Sequence, residues 1–181
     1  ISLLAEPTLE EVVVSARKVD ENLQDVPIAM SVFTSSDIED AGIERPEDFI
    51  ALTPNVVMAN TVNVGDTLVT IRGLTSTRDA ESNFAFVVDG VLQTNPNAFN
   101  RELLDIAQIE VLRGPQGALY GRNATSGAIL ITTKAPSGES ENTAVVGMGV
   151  NNSSKLQYVN SGMLGENVYT RFSVSTRKTD G

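Results

Sequence analysis

The stretch IEVLRGPQGALYGRNATSGAI, residues 109–129, decides the fold of this chain. Residues Ile109–Leu112 have a strand pattern and are followed by Arg113–Gly114–Pro115. Three more glycines, Gly117, Gly121 and Gly127, precede the β-prone run Ile129–Thr133. Glycine and proline at this density favour neither helix nor strand. The pattern predicts a tightly turned connection in which one backbone approaches another where no Cβ would fit. A compact surface loop is the alternative that the glycines alone allow.

Composition narrows the class of protein. The chain has 181 residues, of which 41% are hydrophobic, so it can form one core, or one core and an extension. A net charge of −10 argues against nucleic acid as a partner, because phosphate contacts need a basic surface. The absence of His and Cys removes the common nucleophile–base pairs and Cys/His zinc sites. Asp79-x-Glu81-x-Asn83 has the first oxygen spacing of a calcium loop, but Phe84 stands where that loop needs a glycine. Because no catalytic constellation appears either, we predict no enzyme activity, no catalytic residues, no metal site and no cofactor.

The first region, residues 1–25, contains one short β-prone patch. Leu9–Ala16 has three consecutive valines flanked by acidic residues and followed by Arg17 and Lys18, which favours an extended segment. One interpretation is an edge strand of the domain that follows. The other is a docking strand to which the sheet edge of a different protein adds.

The second region, residues 26–138, alternates strand and helix patterns. A capping box at Ser36–Glu39 and Pro46 at the start of a segment ending at Leu52 predict two short helices. Asp89–Gly90 between apolar runs predicts a two-residue hairpin, and Glu102–Asp105 predicts a helical turn. The predicted strands are Ile28–Phe33, Val56–Met58, Leu68–Arg72, Ala85–Leu92, Gln108–Arg113 and Ile129–Thr133. This mixture indicates an α+β domain with a small mixed sheet.

The third region, residues 139–181, consists of β patterns. Turns at Asn151–Ser154 and Gly165–Asn167 separate three predicted strands. In the last strand, one face carries Val168, Thr170, Phe172 and Val174, and the other carries Tyr169, Arg171, Ser173, Ser175 and Arg177. Such alternation is typical of a transmembrane β-barrel strand, or of a soluble meander with one solvated face. Three strands cannot close a barrel, so a barrel would need further strands after Gly181 and a cover for the apolar face.

Two arginines share one context. Arg72 and Arg113 each end an apolar strand and each precede a glycine. A desolvated guanidinium needs a carboxylate partner, whereas a solvated one does not. Two arginines in the same context predict a shared docking surface, and the alternative is that each simply reaches water.

These segments, taken in order, resemble the N-terminal plug domain of TonB-dependent outer-membrane receptors, followed by the first strands of the barrel. The motif in residues 109–129 is the most specific part of the resemblance. The matching segments are Glu10–Ala16 for the TonB box, Asp25–Ile28 and Leu52–Val56 for the early plug, Ile71–Gly73 and Val88–Val91 for its middle, and Ile109–Ile129 for its closing motif.

The resemblance implies a transport function in the outer membrane of a Gram-negative bacterium. The plug would fill a barrel of about 22 strands and gate the uptake of a siderophore, vitamin or other scarce nutrient. The C-terminal domain of TonB would pair with a docking strand made of Glu10, Glu11, Val12, Val13, Val14, Ser15 and Ala16. A plug–barrel lock would involve Arg72, Gly73, Arg113 and Gly114, which would meet glutamates beyond Gly181.

Two polar loops, Thr75–Asn83 and Gln93–Asn100, are expected to face the extracellular ligand. The candidate ligand-facing residues are Ser76, Thr77, Arg78, Asp79, Glu81, Asn83, Gln93, Asn95 and Asn97. Their hydroxyl, amide and charged groups suit many polar ligands and identify none. The alternative function is a soluble periplasmic ligand-binding or interaction module with a plug-like fold. The two hypotheses differ in whether barrel strands continue beyond Gly181.

Overall fold

The computed structural model describes residues 11–60, 67–76, 82–95 and 98–180. Short helices lie between the strands of the first two thirds, and antiparallel strands form the last third. In chain order the strands are β1 Val13–Val14, β2 Glu21–Asn22, β3 Met30–Thr34, β4 Val56–Asn60, β5 Thr67–Ile71, β6 Leu74–Thr75, β7 Phe84–Val88, β8 Val91–Leu92, β9 Ile106–Arg113, β10 Gly127–Thr133, β11 Glu141–Gly149, β12 Ser153–Met163 and β13 Tyr169–Lys178. The helices are α1 Ser35–Asp40, α2 Pro46–Ala51 and α3 Gly117–Tyr120.

A five-stranded mixed sheet in the order β3–β9–β10–β7–β8 organises residues 12–134, which we call the central domain. Strand β9 pairs antiparallel with β3 and β10, and β10 pairs parallel with β7. Asp89 and Gly90 join β7 to β8 with φ values of 48° and 78°, both left-handed, as a tight hairpin turn requires. The predicted hairpin and the predicted α+β class are both confirmed.

The glycine-rich connection between β9 and β10 brings two backbones into close contact. A Cβ atom on Gly127 would lie 2.3 Å from the carbonyl oxygen of Leu112. Gly114 begins the connection with a φ of 113°, which disfavours any other residue. The close backbone approach predicted from the sequence is therefore present at Gly127.

The two faces of the central sheet pack against different parts of the chain. On one face, Ile109, Ile129 and Phe86 pack with Phe49 of α2 and Ile38 of α1. On the other face of the sheet, the alternate residues of the same strands form a second core, which residues from the N-terminal segment cover. The members of this second core are Val14, Ala16, Val26, Ala85, Val87, Leu112, Ala124, Ala128 and Leu130.

Three local predictions need correction. Helix α1 is capped by Thr34 rather than by a box beginning at Ser36, because the Asp37 carboxylate accepts from the Thr34 amide at 2.8 Å and Thr34 Oγ1 accepts from the Asp37 amide at 3.3 Å. Helix α2 begins at Pro46 as predicted and ends at Ala51, one residue before the predicted end. The predicted helical turn at residues 102–105 is wrong. The Leu103 amide donates instead to the Glu44 carbonyl at 2.7 Å, a tertiary partner that replaces the local bond of a helix.

Strands β11, β12 and β13 form a separate antiparallel sheet, which we call the C-terminal sheet. Its odd-numbered residues face the central domain, where Val159 and Ser161 are buried. Its even-numbered residues face away, and Phe172 and Val174 are 60% and 47% exposed. The predicted alternation of faces is confirmed, and none of the described part of the chain covers the apolar face. The helices among the described residues are too short and polar to span a bilayer.

Candidate functional site

The predicted docking strand lies against the central domain rather than apart from it. Strand β1 forms a small hairpin with β2, in which Val13 pairs with Asn22 and Val14 with Glu21. The side chains of Val14 and Ala16 are only 1% and 0% exposed. Among the other predicted docking residues, the Glu11 carboxylate accepts from Asn22 Nδ2 at 2.8 Å, Val12 packs at the edge of the second core, and Glu10 lies outside the described residues.

Side chains from β9 and α3 hold the strand in this position. The Ser15 amide and hydroxyl donate to Glu110 Oε1 at 3.0 and 3.2 Å. Gln108 Nε2 donates to the Val13 carbonyl at 3.0 Å and to the same Glu110 oxygen at 3.1 Å. The Tyr120 hydroxyl donates to the Ala16 carbonyl at 2.9 Å. Sequence reasoning missed these contacts, although the polar Gln108 and Glu110 alternate with apolar residues in a strand of a buried sheet.

Glu110 is a carboxyl group in an unusual environment. It is 2% exposed, and within the described part of the chain its Oε2 atom has no hydrogen-bond partner. Burial raises the pKa of Glu110, and the nearby charge of Asp20 adds to the rise, while hydrogen bonds from Ser15 and Gln108 oppose it. Burial, together with the charge of Glu110, also raises the pKa of Tyr120 to about 12. The strand is therefore held by a carboxyl group with a pKa above that of an ordinary glutamate.

The two candidate lock arginines lie close together but differ in their surroundings. Arg72 occupies the exposed turn between β5 and β6, and its Nη1 atom lies 3.0 Å from the position that a Cβ on Gly114 would take. Arg113 donates to the carbonyls of Pro54 and Met30 at 3.0 and 3.1 Å. In the described ranges neither arginine forms an ion pair with a carboxylate. A lock with the barrel through Arg72, Gly73, Arg113 and Gly114 stays a prediction.

The candidate ligand-facing loops are described only in part. Ser76 is buried, and its hydroxyl bonds to Val69 O at 3.1 Å and to Asn83 Oδ1 at 2.8 Å. Gln93 donates through Nε2 to the Val91 carbonyl at 3.2 Å, and the Asn95 carbonyl accepts from the Ala98 amide at 2.9 Å. The remaining candidates, Thr77, Arg78, Asp79, Glu81 and Asn97, lie outside the described residues. Ser76 and Asn83 therefore brace their own loop.

A group of ion pairs that the sequence did not predict joins the central domain to the C-terminal sheet. Arg171 of β13 makes a bidentate contact with Asp105, with Nε–Oδ2 and Nη2–Oδ1 distances of 2.5 and 2.6 Å. Lys155 of β12 meets Glu44 at 2.8 Å, and Arg177 also contacts Glu44. These basic residues all have odd numbers in their strands and therefore share the inward face. For Arg171 and Arg177, the predicted alternation had already put both side chains on one polar face.

A cleft of about 540 Å³ separates the two parts of the chain beside these ion pairs. Its lining includes Glu44, Asp105, Lys155, Arg171 and Gln157, so its walls carry charges of both signs. Among the described residues, no group of three or more carboxylates is placed to hold a metal ion. The cleft is therefore a polar space in which side chains of both parts of the chain meet.

The fold and this interface together define a class of protein, in which an α+β domain packs against the polar face of a separate antiparallel sheet. The TonB-dependent Receptor Plug Domain family model matches residues 22–128, more than half of the chain. The chain belongs to this family of TonB-dependent outer-membrane receptors. The resemblance stated from the sequence, the fold class and the outer-membrane localisation are confirmed.

Relatives and solved structures agree with this assignment. The vitamin B12 transporter BtuB of Vibrio vulnificus strain YJ016 is 29% identical over 180 residues, which cover 96% of this chain and 28% of the relative. The pesticin receptor of Yersinia pestis is 32% identical over 110 residues, covering 60% of this chain and 16% of the relative. The crystal structure of the ferric yersiniabactin uptake receptor FyuA from Yersinia pestis is 27% identical, with a TM-score of 0.75, and the match covers 84% of this chain and 24% of that one.

The chain spans less than a third of the length of each of these relatives. They are named as transporters and receptors rather than as enzymes, which is consistent with the prediction that this chain has no catalytic residues. The family match lies within the central domain, which is therefore the plug. We call the C-terminal sheet the wall sheet.

Proposed function

We propose that this chain forms the plug and the first wall strands of an active outer-membrane transporter that gates the uptake of a scarce nutrient. One observation carries the proposal. The plug contacts the wall sheet through ion pairs on the inward face, while the outward face exposes Phe172, Val174 and Val146. A plug inside a lipid-embedded barrel needs this combination of a charged inner face and an apolar outer face.

The relatives support a nutrient class, and the polar loops are compatible with it. The relatives are named for vitamin B12 and for ferric yersiniabactin, a metal chelate. The candidate loops offer serine, asparagine and glutamine groups, of which Ser76 and Asn83 stabilise each other through a 2.8 Å hydrogen bond. We infer that a metal chelate or a vitamin contacts the loop surface around them, and that the chelator itself supplies any metal ligands.

Coupling to TonB would use the docking strand. In β1 the Val13 carbonyl points away from β2, because Val12 is the residue whose carbonyl accepts from the Leu23 amide at 2.9 Å. Main-chain groups on this outer side are those that an added strand would pair with. The Arg72 guanidinium, exposed beside Gly114, would meet a carboxylate of the barrel wall.

A binding experiment tests the coupling. The full-length receptor, carrying either Val13→Pro or Val13→Thr, is titrated with the purified C-terminal domain of TonB. Proline removes the amide at position 13 and should abolish strand pairing, whereas threonine keeps both the amide and the β-branched side chain and should bind like the wild type. Equal binding by the proline variant would show that this segment is not the TonB-binding strand.

The soluble periplasmic alternative makes a different prediction. In a soluble module, the outward face of the wall sheet would contact water or another protein, and the gene product would be extracted from membranes by alkaline carbonate. The transporter hypothesis predicts that the full-length product stays in the outer-membrane fraction after this treatment. Release into the soluble fraction would refute it.

A further inference from the structure

Strand β1 has two edges, and the chain occupies both. The inner edge pairs with β2 in the register Val13–Asn22 and Val14–Glu21. The outer edge presents the Val13 carbonyl and the Ser15 amide, which have the same parity along the strand. These two groups would normally be the open donor and acceptor of an edge strand.

Side chains, rather than a neighbouring strand, bond to two main-chain groups of this outer edge. Gln108 Nε2 donates to the Val13 carbonyl at 3.0 Å, and Glu110 Oε1 accepts from the Ser15 amide at 3.0 Å. Gln108 also donates to Glu110 at 3.1 Å, so the two side chains form one unit. An amide side chain and a carboxylate thus take the places that the donor and acceptor of an added strand would fill.

The strand cannot turn to expose this edge while it remains in place. Val14 and Ala16 project into the second core and are almost completely buried. The Tyr120 hydroxyl holds the Ala16 carbonyl at 2.9 Å at the end of the strand. A partner strand would therefore meet an edge that is both occupied and held against the plug.

We propose that Gln108 and Glu110 form an edge cap that blocks strand addition to β1 until residues 13–16 lift away from β9. The proposal rests on the proposed function only in taking the partner to be a strand of TonB. Without the two capping side chains, the docking strand should leave the plug more often and become available to a partner.

Thiol labelling measures how often the strand leaves. Residues 1–181 contain no cysteine, so Val14→Cys places a thiol at a buried position of the docking strand, and any cysteine elsewhere in the full-length receptor is first replaced by serine. With a maleimide reagent on the full-length receptor in the outer membrane, the labelling rate follows the population of the undocked state. Val19→Cys, at a position 62% exposed, gives the rate of a free thiol, and Val111→Cys, in the first core, labels only if the sheet unfolds.

The variants separate the hydrogen bonds of the cap from general damage. Gln108→Ala and Glu110→Ala should each raise labelling at position 14 about tenfold, while position 111 stays protected. Glu110→Gln keeps an oxygen acceptor for Ser15 and should stay near the wild-type rate or below it. Arg17→Ala removes an exposed ion pair of the same hairpin and should change nothing. Unchanged labelling in both alanine variants would overturn the proposal, and so would equal acceleration by Glu110→Ala and Glu110→Gln.

This experiment needs no partner, so its failure differs from a failure of the proposed function. If the cap variants accelerate labelling but the TonB domain does not bind, the edge cap stands and the assignment of its partner fails. If the TonB domain binds wild type and the alanine variants with the same affinity and rate, the cap does not control access and the proposal is wrong.

Discussion

The ion pair between Asp105 and Arg171 should stabilise the seating of the plug against the wall. Both side chains are 8% exposed, and two short nitrogen–oxygen contacts join them. Removing one partner of a buried pair typically costs about 3–5 kcal/mol, because the remaining charge stays buried without compensation. Glu141 contacts Arg171 at 2.8 Å and would retain part of the interaction. We therefore expect Asp105→Asn to lower the free energy of unfolding of the plug by about 3 kcal/mol, at the lower end of that range.

A double-mutant cycle isolates this interaction. Asp105→Asn, Arg171→Met and the double variant are compared in the full-length receptor by pulse proteolysis of the plug across a urea series. The double variant should be less destabilised than the sum of the single variants by about 2 kcal/mol. The matched control is the pair Arg17–Glu21, whose side chains are 48% and 27% exposed, and its coupling should be below about 0.5 kcal/mol. A coupling at Asp105–Arg171 no larger than this control would refute the argument that burial makes this contact strong.

Two further predictions concern the plug itself. Gly127→Ala should destabilise the plug by about 1–3 kcal/mol in the same urea assay, because its Cβ would lie 2.3 Å from a carbonyl oxygen of β9. The control Gly117→Ala has open space around its Cβ and should be neutral or slightly stabilising. Burial and the charge of Asp20 raise the pKa of Glu110 above its ordinary value of 4.5, and Tyr120 beside it stays neutral, so the folded state binds this proton more tightly than the unfolded state. The free energy of unfolding should therefore fall as pH rises from 4.5 through the raised pKa of Glu110. The variant Glu110→Gln cannot titrate and should not show that fall. Parallel pH profiles of stability for the wild type and this variant would contradict the assignment.

Features that depend on nearby residues were predictable from the sequence. The Asp89–Gly90 hairpin needs only two residues that tolerate a left-handed backbone between two apolar runs. The three strands of the wall sheet and their two faces follow from a period of two that continues for about ten residues. The order of motifs around residues 109–129 then identified the family.

Features that depend on distant partners were not predictable. The segment around Glu102 looked helical, but its backbone bonds to Glu44 instead, a partner more than fifty residues away. The cap of α1 shifted to Thr34 because β3 runs directly into the helix. Similarly, nothing near Arg171 in the sequence indicates Asp105 as its partner, although its inward position was evident from the alternation.

The separation of the β1–β2 hairpin from the five-stranded sheet has a mechanical consequence. Within the described ranges, no backbone ladder connects this hairpin to the central sheet, so a force applied to the chain before β1 would act first on side-chain contacts. The ladder between β9 and β10, in which six residues of β10 pair in one continuous register, would be loaded only later. We therefore expect the hairpin to detach at a lower force than the five-stranded sheet needs to unfold. Detachment of the hairpin would also expose the second core on one side of the sheet, including Ala128 and Leu130, to solvent.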